Sequence, residues 1–193
     1  MTNPILRRDS LPVLVTERLR LRLLEPHQAP LMVRFRVDNR SYLEPWEPKR
    51  APEFFTQGFW ELQLAGALRE FRQGTSLCLS ILDREEVEVM GVCNYTNIIR
   101  GTYRACHLGY ALAEQHQGAG IMFEALTASI RYVFEQMKLH RIMANYMPHN
   151  ERSGRLLARL GFTIEGKASK LLKINGKWED HVLTSKINPA SGC

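Results

Sequence analysis

The junction Gln115-His116-Gln117-Gly118-Ala119-Gly120 constrains this chain more than any other stretch, because two glycines there join a strand-like run to an amphipathic helix. Upstream, His107 to Leu112 has the aromatic and aliphatic content of a buried strand; downstream, Ile121 to Met137 carries apolar residues at helical spacing. Glycines at such a turn let backbone N–H groups approach an anion closely, and the positive end of the helix dipole adds to the attraction. The guest this predicts is a pyrophosphate, although glycines at such a place also serve merely to make a tight turn. A Walker A loop is excluded, since Ile121-Met122 stands where Lys followed by Ser or Thr is required. A dinucleotide fingerprint would need a third glycine in its frame.

The rest of the chain predicts a mixed α/β fold. Val13 to Leu24 alternates Leu19, Leu21 and Leu23 against Arg18, Arg20 and Arg22, the pattern of one half-buried opening strand. Pro26 starts a helix near Leu31, Val33, Phe35 and Val37, although the spacing of those four is partly strand-like. Residues 39–52, with three prolines and Trp46, read as an ordered loop. Phe55 to Phe71 is helical, with Phe59, Leu62, Leu64, Leu68 and Phe71 as its apolar stripe and Gln73-Gly74 as its end. Strands at 76–82 and 87–95 flank an acidic turn, and a third runs from Tyr103 to Leu112. Beyond the glycine junction come a strand from His140 to Met147, a helix from Asn150 to Leu160, and a last hairpin around Asn175-Gly176. With no repeat and no linker, residues 1–193 are expected to form one domain with short flexible ends: a central, mostly antiparallel twisted sheet of about seven strands flanked by about four helices.

With 45% hydrophobic residues among 193, a core is readily built. No apolar run approaches the roughly 18 residues of a membrane span. The N-terminal segment MTNPILRRDS lacks the h-region of a secretory signal, so a cytoplasmic protein is expected. Cys78, Cys93 and Cys106 lie in strand-like segments and read as small buried hydrophobes, whereas Cys193 is expected to be exposed. No metal site is expected. The net charge of +6 is scattered along the chain; it suits a ribosomal neighbourhood or a merely solvated surface.

A second signature follows the first. Asn150-Glu151-Arg152-Ser153 opens a helix and is followed by Leu156-Leu157, Leu160-Gly161-Phe162 and Glu165-Gly166. Taken locally, Asn150 is an N-cap and Ser153 a first-turn residue. Together with Gln115-x-x-Gly118-x-Gly120, however, this pattern resembles the acetyl-CoA motifs of the GNAT N-acetyltransferases, and in particular their ribosomal-protein branch. Pro45-Trp46-Glu47-Pro48, Phe123 to Ala128, His140 to Asn150 and Asp180 to Thr184 look like that branch too, so the resemblance covers nearly the whole chain. It implies a GNAT fold and acetyl-CoA as co-substrate. The acceptor it implies is the N-terminal alanine α-amine of the fifth protein of the small ribosomal subunit, which attacks directly through a tetrahedral intermediate. It further implies donor contacts from Tyr110, Ala111, Leu112, Gln115, Gln117, Gly118, Ala119, Gly120, Ile121, Met122, Asn150 and Ser153, with Asn150 on the pantetheine arm and Ser153 turned toward the sulfur.

Such a reaction needs a neutral amine, a stabilised oxyanion and a proton for the departing thiolate. Backbone N–H groups near Tyr110 to Leu112 are nominated for the oxyanion, where this family's fourth and fifth strands splay apart. Ser153, or Tyr146 in its place, is nominated as proton donor. Candidates for the base are Glu47, His107, Glu124 and His181, with Glu47 set in a proline-bracketed loop able to receive a cationic terminus. Because an α-amine has a pKa of about 8, a base acting through water suffices. Two other readings stay open: acetylation of a free small amine, such as an antibiotic, polyamine or amino acid, and a non-catalytic CoA-binding factor that contacts the assembling ribosome.

Overall fold

The structure, a computed structural model, describes residues 11–191. The N-terminal segment 1–10 and Cys193, each given a reading above, lie outside the described residues.

The opening segment is two strands rather than one. Thr16 donates its N–H to the Leu19 carbonyl (3.0 Å) and accepts the Leu19 N–H on its hydroxyl (3.1 Å), which folds the chain back. Val13–Val15 (β1) therefore lies antiparallel to Leu19–Arg22 (β2), with Val13 opposite Arg22. The alternation itself holds, because Leu19 and Leu21 are fully buried while Arg20 and Arg22 stay at the surface and pair with Glu86. Ala29–Asp38 forms α1, but its inner face is Met32, Phe35 and Arg36; Val37, part of the strand-like spacing, is exposed. The expected loop at 39–52 contains a short helix, Arg40–Leu43 (α2), and a 3-10 turn at Glu44–Trp46.

Gln57–Gln73 forms α3, capped by the Thr56 hydroxyl on the Phe59 N–H and ended by Gly74 in the left-handed region. Its buried stripe is Leu64, Leu68 and Phe71; Leu62 points away and is 73% exposed, since two helical steps carry it about 200° from Leu64. The strands Leu77–Asp83 (β3), Val89–Ile99 (β4) and Ala105–Leu112 (β5) form the expected meander. They are followed by Ile121–Glu135 (α4), Arg141–Tyr146 (β6), Glu151–Arg159 (α5) and the hairpin Thr163–Ile174 (β7) with Lys177–Ile187 (β8). The hairpin turn places Asn175 and Gly176 at positive φ, as an Asn-Gly turn requires. Cys93 and Cys106 are buried, but Cys78 is only half-buried, because it alternates with Leu77 and Leu79 on β3 and faces away from their core.

Among the described residues, eight strands join one sheet in the order β1-β2-β3-β4-β5-β6-β8-β7, one strand more than expected because the first segment divides. Every pair is antiparallel except β5 with β6. Both sheet faces are apolar. Cys93 and Tyr95 of β4 pack with α4 and α5, whereas Val89 and Val92 pack with α1. The parallel pairing of β5 with β6 runs only from Ala105↔Arg141 to His107↔Met143. Beyond it both strands continue without meeting, and a wedge opens at the centre of the sheet.

Candidate active site

The glycine turn lies at the wide end of that wedge. After β5 the chain makes a 3-10 turn at Glu114–His116, then passes through Gly118 and Gly120, both at φ +77°, into α4. Gly120 is the N-cap residue, and no side chain caps the helix. The backbone bonds of His116 to Ala113 and Gln117 to Glu114 precede the turn, and the helical bond of Glu124 to Gly120 follows it. The N–H groups of Gly120 to Phe123 are thus the donors of a helix start that find no partner within the helix. A Cβ placed on Gly118 would meet nothing within 4 Å. Gln117 reaches back to the Leu112 carbonyl (3.3 Å), while Gln115 and His116 turn outward to Glu88.

Register decides which backbone groups line the wedge. Ala113 donates to the Met90 carbonyl (2.8 Å), so alternate residues of β5 turn their amides toward β4. The N–H groups of Tyr110 and Leu112 therefore point the other way, into the gap where β6 has left. On the same face as Leu112, the Tyr110 hydroxyl shares a hydrogen bond of 2.6 Å with Ser153 Oγ. Ser153 is held from below, its N–H given to Asn150 Oδ1 (3.2 Å), so Asn150 is the side-chain cap of α5. Tyr146 packs its ring on Gly154, where an added Cβ would lie about 3.0 Å from the ring carbons. Burial pushes the Tyr110 phenol up to about 12, against the lowering effect of the Ser153 bond, so it stays protonated.

The four carboxylates and histidines considered as base are placed very differently. Glu47 accepts from Arg36 Nη1 (2.8 Å) on one oxygen and from Arg50 (3.3 Å) on the other. Its carbonyl takes the Asn175 N–H (2.9 Å), and its neighbour Trp46 lies 5.7 Å from the His149 ring. Glu47 thus anchors a loop that borders the start of α5, where Tyr42 also meets Arg152. Glu124 is fully engaged by Thr16 and Arg18. Burial raises its carboxyl, but those hydrogen bonds and the Arg18 charge together hold it below its ordinary value. His107 lies on the opposite face of β5 from Tyr110, and His181 on the opposite face of β8 from Val182, the partner of Tyr146. His181 is buried with Nδ1 3.0 Å from the Glu179 carbonyl. Among the described residues, no group of three or more His, Cys, Asp or Glu side chains is placed to hold a metal ion.

A strand pair that opens beside a glycine-turn helix start makes a cleft with an anion-binding end, and the comparison with known families says which cleft it is. The acetyltransferase (GNAT) domain family matches residues 18–163. The chain belongs to the GNAT acetyltransferases. It is 47% identical over 177 residues to the [ribosomal protein uS5]-alanine N-acetyltransferase of Escherichia coli K12, covering 91% of each chain. Its fold superposes on the ribosomal-protein-S5-alanine acetyltransferase of Vibrio fischeri with a TM-score of 0.89 at 40% identity, over 92% of this chain and 97% of that one. It also matches Mycobacterium smegmatis RimJ in complex with CoA-disulfide, with a TM-score of 0.84 at 28% identity, over 95% and 89% of the two chains.

Within this GNAT frame, the structure brings Tyr110, Tyr146, Asn150 and Ser153 together beyond the last paired residues of β5 and β6, with the glycine turn at the end of β5. Two participants were invisible to sequence reasoning. Arg18 reads as an outward residue of a strand, yet it reaches Ala119 and Glu124; Arg36, which no sequence pattern singles out, is 6% exposed and packed against Phe35, Phe54 and Trp60. Their partners lie up to 106 positions away in the chain, beyond any local pattern.

Proposed function

We propose that this chain transfers the acetyl group of acetyl-CoA to the N-terminal alanine of ribosomal protein uS5. The observation that carries this reading is the 47% identity, over 91% of each chain, with the E. coli enzyme of that name. The CoA-bound relative supports the donor, and the helix start at Gly118 to Met122 supplies N–H groups for its pyrophosphate. Asn150 spends its oxygen on the Ser153 N–H, which leaves its amide nitrogen to donate to the pantetheine arm.

The amine attacks the thioester carbonyl, and the developing oxyanion is received by N–H groups at Tyr110 and Leu112 in the gap between β5 and β6. As the C–N bond forms and the C–S bond breaks, the amine loses a proton to water and the thiolate takes one from Ser153. Tyr110, hydrogen-bonded behind Ser153, relays a proton to it and takes back from water the proton that the amine released, so the phenol ends the cycle protonated. Tyr146 is the alternative donor. Glu47 serves the acceptor side by fixing its loop through Arg36 and Arg50, rather than by accepting the proton itself. The neutral fraction of an α-amine with a pKa of about 8 makes a strong base unnecessary. We place the reaction in the cytoplasm, where the net charge of +6 favours approach to an assembling ribosomal particle. Among the described residues no helix is long and apolar enough to cross a membrane.

The test is mass spectrometry of a peptide carrying the first residues of uS5, incubated with the protein and acetyl-CoA beside a panel of free amines. One acetyl group on the peptide α-amine, with the small amines untouched, is the expected result. Acetylation of a small amine alone would overturn the acceptor assignment.

A further inference from the structure

The turn between β1 and β2 reaches across the molecule to the donor cradle. Arg18 donates Nη1 to the Ala119 carbonyl (2.9 Å) and both Nε and Nη2 to Glu124 Oε2 (2.7 Å each). The other Glu124 oxygen accepts from the Thr16 hydroxyl (2.6 Å) and the Arg18 N–H (3.0 Å). Thr16 is itself held by Leu19. Every acceptor in this cluster is used. A Cβ on Gly120 would lie 3.6 Å from Arg18 Nη2, so the guanidinium covers one side of the glycine turn.

Two consequences follow from elementary geometry and charge. In a trans peptide the C=O and the next N–H point in opposite directions, so drawing the Ala119 carbonyl to Arg18 turns the Gly120 N–H away from it. Glu124, in the first turn of α4, stabilises the helix start but faces the same end that receives an anion. Its charge opposes a pyrophosphate unless it is neutralised.

We propose that Arg18 is a positioning residue for acetyl-CoA: it fixes the Ala119–Gly120 peptide so that the Gly120 N–H is presented to the pyrophosphate, and it masks Glu124 from that anion. The proposal rests on the donor site described above. It differs from a plain staple between the β1–β2 turn and α4 in the sign of the coupling it requires. A staple loses as much from Glu124→Gln as from Arg18→Ala, and losing both ends is no better than losing one. A mask makes Arg18→Ala the damaging change, because it bares a carboxylate beside the ligand, and makes Glu124→Gln a rescue of it.

The experiment is calorimetric titration of CoA into the wild-type protein, Arg18→Ala, Glu124→Gln and the double variant, with steady-state kinetics and thermal melts beside it. Arg18→Ala is expected to weaken CoA binding about tenfold, the scale of a partly exposed charged hydrogen bond, and to raise the KM for acetyl-CoA with kcat nearly unchanged. Glu124→Gln is expected to change affinity by less than about threefold, and the double variant to recover about threefold over Arg18→Ala. If Arg18→Ala does not fold, Arg18→Lys replaces it; a single ammonium cannot hold Ala119 and Glu124 in the same fork, so affinity falls while kcat stays. Wild-type affinity in a folded Arg18 variant, or a double variant no better than Arg18→Ala, overturns the proposal. A wild-type protein that binds no CoA overturns the donor site as well.

Discussion

At Ser153 the backbone and the side chain have separate duties: the N–H completes the Asn150 cap, and the hydroxyl meets Tyr110. The two roles can therefore be removed one at a time. Ser153→Ala keeps the cap and is expected to lower kcat by about 100-fold, the low end for loss of a general acid, with the KM for acetyl-CoA and the melting temperature little changed. Asn150→Ala is expected instead to lower stability by about 1 kcal/mol and, through the lost pantetheine contact, to raise the KM for acetyl-CoA. Steady-state kinetics and thermal melts on the two variants check both; full turnover in Ser153→Ala would remove it as proton donor. Because the Tyr110 phenol is pushed up to about 12 by burial, its proton stays on at neutral and moderately alkaline pH. A pH–rate profile of the wild type should then show no loss from Tyr110 below about pH 10.

Among the elements, the acceptor-side loop shows how a charged pair holds an irregular segment in place. Arg36 is buried on α1 beneath Phe54 and Trp60, where desolvation by burial lowers its pKa against the raising effect of Glu47. Glu47 is its close anionic partner, and the pair ties α1 to the loop after α2. Removing the carboxylate leaves a buried guanidinium uncompensated, so Glu47→Ala should cost about 3 kcal/mol of unfolding free energy in chemical denaturation. A Glu47 that acted only as an exposed base would lose turnover with an unchanged denaturation midpoint. Replacing both partners with methionine should recover part of the loss, since apolar groups of similar size suit that aromatic surround.

For the molecule as a whole, the divergence of β5 from β6 is the feature on which the site depends. It leaves β6 bound to β8 along its length while β5 stays with β4, so the sheet is held on both sides of a gap rather than across it. The Tyr110 and Leu112 amides should exchange with solvent deuterium much faster than their β5 neighbours bonded to β4, and slow markedly when CoA fills the gap. Mass-spectrometric or NMR hydrogen exchange with and without CoA reads this directly. Equal protection along β5 in the free protein would mean that the gap is closed in solution.

What could be read from the sequence was local. The glycine turn between β5 and α4, Asn150 as a cap, the Asn175-Gly176 turn and the leucine alternation of β2 are each set by a few neighbouring residues, and all stand in the structure as expected. The family likeness rode on the glycine turn, the Asn150 to Ser153 helix start and a few other short stretches. The division of the first strand at Thr16 was not legible, because the alternation runs unbroken through the turn that a hydroxyl makes. Nor were the pairings of Arg18 with Glu124, Arg36 with Glu47 and Tyr110 with Ser153, since alternation or helical spacing says only which face a residue occupies. Which residue it meets there depends on strand register, on the wedge between β5 and β6, and on how α1 and α4 pack on the sheet. Sequence thus determined most of the elements and the glycine turn, through backbone conformation. The packed sheet alone determined which charges and hydroxyls come within bonding distance, because those contacts join residues that no short-range preference connects.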